Sequence, residues 1–143
     1  MTSTSASSDM IPLVVVGAHL TGMPLNKELQ ALDATLIKAT RTTSDYRLYA
    51  LAGTVPPKPG LLRVAADGAS VEVEIWALTP AAFGLFVSRI PSPLGVGTLK
   101  LEDGDTAKGF LVEAVAIEGA RDISEFGGWR NFIASLTPAI AAS

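Results

Sequence analysis

Val14-Val15-Val16 limits what this chain can become more than any other stretch. Three β-branched residues with no polar residue between them suit a strand covered on both faces, and Gly17 ends it. The chain then runs Ala18-His19-Leu20-Thr21-Gly22-Met23-Pro24 before Leu25, Leu29, Leu32 and Leu36 recur at helical spacing. A buried strand, a glycine-bounded loop and a helix in succession put the loop at the carboxyl end of a central strand, where α/β folds hold ligands. That loop carries His19, the one histidine of the chain. What the other residues place over it decides its role.

The spacing predicts a helix over 25–37 with a single apolar stripe. Asn26 at its mouth reads either as an N-cap or as a ligand contact. A strand is expected over 38–51, with Tyr46, Leu48 and Ala50 on one face and Arg47 and Tyr49 on the other. The prolines of Ala52 to Gly60 stop it and make a rigid loop, in which Lys58 is a surface charge or a cation over a pocket rim. Leu61–Val64 and Val71–Leu78 read as a hairpin turned at Asp67-Gly68. In its second arm Glu72 and Glu74 alternate with valines, which invites an acid/base pair but favours a solvated face. Thr79-Pro80 opens a helix over 81–89 with Phe83, Phe86 and Val87 turned inward.

Ile90 to Thr98, IPSPLGVGT, is expected to be a loop of fixed shape whose glycines let backbone N–H groups point at an anion. It lacks a Walker lysine, so a carboxylate suits it better than a nucleotide. A second hairpin joins Leu99–Leu101 to Gly109–Ile117 through the Asp103-Gly104-Asp105 turn. Ile123 to Leu136 is amphipathic, and Gly127-Gly128 either interrupts it or lets its backbone approach something closely. Strands outnumber helices, so the class is α+β. About five or six strands in a mixed, strongly twisted or barrel-like sheet, with two main packed helices, would enclose one small pocket.

Composition removes several kinds of partner. A chain of 143 residues is one domain with residues 13–136 as its body, flanked by a Ser/Thr-rich disordered tail over 1–12 and a frayed tail over 137–143. The formal charge of −3 and eleven scattered Lys and Arg offer nothing to nucleic acid. No apolar run nears the roughly 18 residues of a membrane span, and the tail lacks the positive region of a signal peptide. With no cysteine there is no thiolate site or disulfide, which fits the cytoplasm. One histidine excludes a multi-histidine metal centre, and no nucleotide loop or serine elbow is present, so neither metal nor cofactor is expected. A lone loop histidine is structural or surface-lying more often than catalytic, although imidazole is well suited to proton transfer.

VVVGAHLTGMPLN, TRTTSDYRLYAL, VPPKPGLLRV, VEVEIWAL, IPSPLGVGTLKLEDG, KGFLVEA and DISEFGGWRNFIASL follow one another over Leu13 to Leu136. Together they resemble the C-terminal domain of allophanate hydrolase. The resemblance implies a γ-glutamylcyclotransferase-like fold. It implies that an amidase domain hydrolyses allophanate while the C-terminal domain accelerates decarboxylation of the N-carboxycarbamate product, with His19 as the catalytic histidine. The chain carries no Gly/Ser-rich amidase signature, so it is expected as a stand-alone copy or an excised domain without amidase activity of its own. Cyclotransferases place a glutamate acid/base about where this chain has Arg89-Ile90-Pro91-Ser92, which carries no acid. Cyclotransferase-like chemistry on another substrate is therefore the second reading, and a non-catalytic module that docks on an amidase or forms a homodimer is the third.

The implied substrate sets out what a site must contain. Two carboxylates flank one nitrogen, and loss of carbon dioxide leaves negative charge there, so a proton donor and a dicarboxylate clamp are required. His19 is the expected donor. Backbone N–H groups of Gly17, Ala18, His19 and Leu20, and of Leu94, Gly95, Val96 and Gly97 beyond Pro93, are expected to hold the carboxylates, with Tyr49 and Asn26 adding hydrogen bonds. Malonate would be the stable mimic.

Overall fold

The computed structural model describes residues 9–53 and 58–136. Residues 1–8 and 137–143 of the expected tails, and 54–57 of the proline-rich loop, lie outside the described residues. Eight strands and three α-helices are described: β1 (Ile11–Val15), α1 (Asn26–Ala31), β2 (Thr35–Arg41), β3 (Tyr46–Ala50), β4 (Pro59–Arg63), β5 (Glu72–Leu78), α2 (Pro80–Ser88), β6 (Leu94–Lys100), β7 (Thr106–Val112), β8 (Arg121–Asp122) and α3 (Trp129–Leu136). The strands form a five-stranded sheet in the order β2-β5-β1-β7-β6 and a three-stranded sheet in the order β4-β3-β8. The class is α+β, as expected, but the strands do not close into a barrel. The eight strands exceed the expected five or six.

The valine run is the middle of this arrangement. β1 pairs antiparallel with β5, Val14 opposite Ile75, and parallel with β7, Val14 opposite Gly109. Both faces of β1 are covered, and Val14, Val15 and Val16 are 1%, 0% and 4% exposed. Gly109 is needed beside it, since a Cβ there would lie 2.8 Å from the Val14 Cβ. The small sheet joins the large one where Gly60 of β4 lies against Val112 of β7. Among the described residues no helix is long and apolar enough to cross a membrane.

Four expectations need correction. The helix over 25–37 stops at Ala31, because Asp33 turns to φ 58 and β-branched Thr35, Ile37 and Thr40 continue as β2, an edge strand that leaves Ile37 51% exposed. The strand over 38–51 is consequently two, β2 and β3, in different sheets. Leu61–Val64 and Val71–Leu78 are not a hairpin: β4 pairs with β3, while β5 pairs with β1 and β2. The loop over 90–98 is mostly β6, with Gly95 opposite Leu111 and Gly97 opposite Gly109. Its glycines alternate with Leu94 and Val96 at strand period, and Gly97 leaves room for the Leu111 side chain.

Other elements follow the sequence closely. Thr79 caps α2 by accepting the Ala82 N–H at 3.1 Å, with Pro80 as the first helical residue. The Asp103-Gly104-Asp105 turn joins β6 to β7, although β7 ends at Val112 and Ala114–Ile117 forms a 3₁₀ turn. Gly127-Gly128 does both things expected of it. Gly127 at φ 75 ends the 3₁₀ turn Ser124–Phe126, and Gly128 sits where a Cβ would come within 2.9 Å of the Glu72 Cβ. α3 then lies on the core through Trp129 and Phe132, 1% and 4% exposed.

Candidate functional site

Beyond β1 the chain makes a tight loop, 16–25, held by its own backbone. Leu20 N–H donates to Gly17 O at 3.0 Å and Leu25 N–H to Ala18 O at 2.8 Å. Asn26 fixes the middle of the loop from below: its Nδ2 donates to His19 O at 2.8 Å, and its Oδ1 accepts from Gln30 Nε2 at 2.6 Å. Neither sequence reading of Asn26 describes this, since α1 has no side-chain cap and the asparagine is 3% exposed beneath the loop. Gly17 packs on the Pro59 ring, where a Cβ would fall 2.8 Å from Cδ and closer still to Cγ.

The His19 ring projects into a cleft of about 240 Å³. It packs edge-on to Phe86 at 4.9 Å between centroids and lies 5.9 Å from Phe110. Its Nε2 is 2.9 Å from Glu28 Oε1, so two aromatic rings and one carboxylate set its orientation. The side chain keeps 18% of its exposure, enough to meet a ligand. Gly17, Ala18 and Leu25 continue the loop side of the cleft, and Ile90, Pro91 and Leu94 close the other. Lys58 and Arg89 bring two cations to the lining, against the single acid Glu28. Among the described residues, no hydrogen bond takes up the N–H of Ala18 or of His19. Two open amides, two cations and an imidazole are groups of the kind that a small-anion site with a neighbouring proton donor requires.

Of the residues expected to bind, Gly17, Ala18, His19 and Leu94 line the cleft. Leu20 is fully buried in the core. Tyr49 sits in β3 opposite Gly60 and Asp122, away from the lining. Gly95, Val96 and Gly97, which continue along the sheet edge in the β6–β7 ladder, are absent from the lining too, as is Pro93, which precedes β6 and accepts the Glu113 N–H at 2.9 Å. Lys58 takes the rim position that was one of its two readings. Glu28 and Arg89 were missed as site residues, and Phe86 was foreseen only as an inward-facing residue of its helix.

Glu74 does not belong to a solvated face, whereas Glu72 keeps 36% of its side-chain exposure, and neither reaches the cleft. Glu74 is 4% exposed. Its Oε1 accepts the Thr21 N–H at 2.8 Å, the Thr21 hydroxyl at 3.0 Å and Trp76 Nε1–H at 3.1 Å, and its Oε2 accepts from Arg130 at 2.8 Å. Burial pushes the Glu74 carboxyl up, but the Arg130 guanidinium and these donors outweigh it and hold it below the usual carboxylate range. A depressed folded-state value adds stability that is complete above the unfolded value, about 4.3, and is lost as pH falls through the folded one. Urea midpoints of Glu74→Gln are therefore expected to fall less than those of the parent between about pH 5 and pH 2. Parallel acid limbs for the two proteins would mean that the pair contributes no pH-dependent stability.

Among the described residues no group of three or more His, Cys, Asp or Glu side chains could hold a metal ion.

Residues 11–134 match the model of a family described as the allophanate hydrolase C-terminal domain. The urea amidolyase of Saccharomyces cerevisiae is 40% identical over 133 residues, which are 90% of this chain but only 7% of that protein. The solved allophanate hydrolase of Kluyveromyces lactis superposes with a TM-score of 0.85 at 38% identity, over 89% of this chain and 21% of the other. A uropathogenic E. coli-specific protein superposes with a TM-score of 0.81 at 34% identity, over 87% of this chain and 96% of that one. At 11% identity a γ-glutamyl cyclotransferase superposes with a TM-score of 0.51 over 73% of this chain and 67% of that one, a likeness of fold alone. The architecture is γ-glutamylcyclotransferase-like.

Proposed function

This chain belongs to the allophanate hydrolase C-terminal domain family, and from that premise we propose that its cleft binds N-carboxycarbamate and accelerates its decarboxylation beside an amidase. The observation that carries the proposal is the position of His19, oriented by Glu28 at 2.9 Å and adjacent to the open amides of Ala18 and His19 in a cleft with two cations. One substrate carboxylate would rest on those amides. The other would face Arg89 and Lys58, whose charge also favours entry of a dianion. As the bond between nitrogen and the departing carboxylate breaks, its electron pair stays on nitrogen and the His19 imidazolium supplies the proton. The products are carbon dioxide and carbamate, and imidazole recovers its proton from water. The walls of Phe86 and Phe110 favour neutral carbon dioxide over a carboxylate. The urea amidolyase relatives are far longer than this chain, which supports a partner that makes the substrate.

Malonate has the same two carboxylates about a CH₂ group and no bond that breaks so easily, so it tests the cleft without turnover. Calorimetry is expected to show one malonate per chain, weaker binding of acetate, and about tenfold weaker malonate binding in Arg89→Ala. Absence of saturable malonate binding, or equal affinity for acetate, would remove the dicarboxylate assignment.

A further inference from the structure

Arg130 reaches the histidine loop from the far end of the described chain. It stands in the first turn of α3, beside Trp129 in the core, and its Nη2 donates to Thr21 O at 2.7 Å as well as to Glu74 Oε2 at 2.8 Å. Its Nη1 lies 3.4 Å from Glu72 Oε1. Glu74 Oε1 meanwhile receives the Thr21 N–H and hydroxyl. Thr21 is thus gripped through its N–H by β5 and through its carbonyl by α3. The helix cannot drift, because Glu72 N–H donates to Gly127 O at 2.9 Å and Arg41 Nη2 donates to the same oxygen at 3.2 Å. Neither Arg130 nor Glu74 lines the cleft, so whatever they do to a ligand passes through the loop.

We infer that Arg130 and Glu74 are a positioning pair that holds Thr21, and through it the Ala18 and His19 amides, in the geometry that receives a carboxylate. This rests on the cleft reading above. The loop's other anchors are its own short-range bonds, including Met23 N–H to Leu20 O at 2.9 Å across Thr21 and Gly22, the buried Leu20 side chain and Asn26, none of which ties Thr21 to β5 or α3. The grip on Thr21 supplies that tie, so ligand binding need not order the loop. α3 is on this account part of the site although no residue of it touches the ligand.

The test uses the full chain, with amide exchange read by NMR in the free protein and malonate affinity read by calorimetry. Arg130→Gln is expected to keep the far-UV spectrum of the parent, to speed exchange of the Thr21 N–H by about tenfold and to weaken malonate binding by about tenfold. Arg130→Lys keeps the charge beside Glu74 and is expected to recover most of that affinity, a rescue that a general loss of stability would not produce. A folded Arg130→Gln protein with parental exchange at Thr21, or with parental malonate affinity, overturns the inference. Should Arg130→Gln not fold, Glu74→Gln decides: it removes the charge that holds Arg130 and one of the oxygens that receive Thr21, and Thr21 exchange and malonate affinity both unchanged from the parent overturn the pair. A parent chain that does not bind malonate at all removes the functional reading instead, and Thr21 exchange then judges the pair without a ligand.

Discussion

His19→Asn is expected to slow carbon dioxide release by about 10² to 10⁴, the usual worth of a positioned general acid, with the first release of ammonia by the amidase unchanged. Asparagine preserves polarity and much of the volume between Phe86 and Phe110 but cannot deliver a proton as imidazolium does. N-carboxycarbamate also loses carbon dioxide unaided, so the measured fall ends at the spontaneous rate. Two signals must therefore be followed separately, ammonia and carbon dioxide, with an amidase fragment plus either protein across about pH 6 to 9. A substitution that merely loosened the cleft would weaken malonate binding and leave release at saturating substrate nearly intact. His19→Asn is expected to do the reverse, with malonate bound nearly as tightly through the Ala18 and His19 amides. Equal carbon dioxide release by both proteins and by the amidase alone would leave His19 as a residue that orders its loop.

Local chemistry was legible where one short stretch decides the structure. Val14 to Gly17 announces a covered strand, Thr79-Pro80 a helix start and Asp103-Gly104-Asp105 a turn, and all three are present. Leu25, Leu29, Leu32 and Leu36 misled because two elements share one apparent period. Leu29 is buried on α1, whereas Leu36 stands 42% exposed on an edge strand. The break between them is Asp33 in the left-handed region, and aspartate adopts that backbone too seldom to be read from sequence. β6 was hidden for a different reason, since glycine at alternate positions resembles a loop until Leu111 is known to need the space over Gly97.

The site divides in the same way. His19 and its glycine-bounded loop are contiguous, and both are visible in one line of sequence. Glu28 lies nine residues from His19, Glu74 lies 53 from Thr21 and Arg130 lies 109 from Thr21, distances that no spacing rule spans. Glu72 and Glu74 alternate as a wet strand face would, and only the arrival of Arg130 from α3 makes Glu74 a buried partner, with Glu72 half-exposed beside it. The resemblance to the allophanate hydrolase C-terminal domain supplied the histidine's proposed role. It did not supply the residues that hold it.

Gly17→Ala is expected to damage fold and site together, because the methyl group has nowhere to go. Its Cβ would fall 2.8 Å from Pro59 Cδ and closer to Cγ, and a proline ring inside β4 cannot swing aside as the end of a long side chain can. Either β4 moves, straining its ladder with β3, or the end of β1 moves and carries Ala18 and His19 with it. Overpacking of this kind costs about 1–3 kcal/mol, which lowers the thermal midpoint of a domain of this size by about 3–10 °C. A displacement of about 1 Å at the reacting group can add a further 10²-fold loss in rate. Gly95→Ala is the matched control: it lies on the exposed edge strand β6, a Cβ there meets nothing within 4 Å, and it does not line the cleft. The control is expected to retain the parental midpoint and malonate affinity. Differential scanning calorimetry and malonate titration of both variants separate the two cases. Parental behaviour in Gly17→Ala would show that Pro59 yields and that the β1–β4 contact does not set the position of His19.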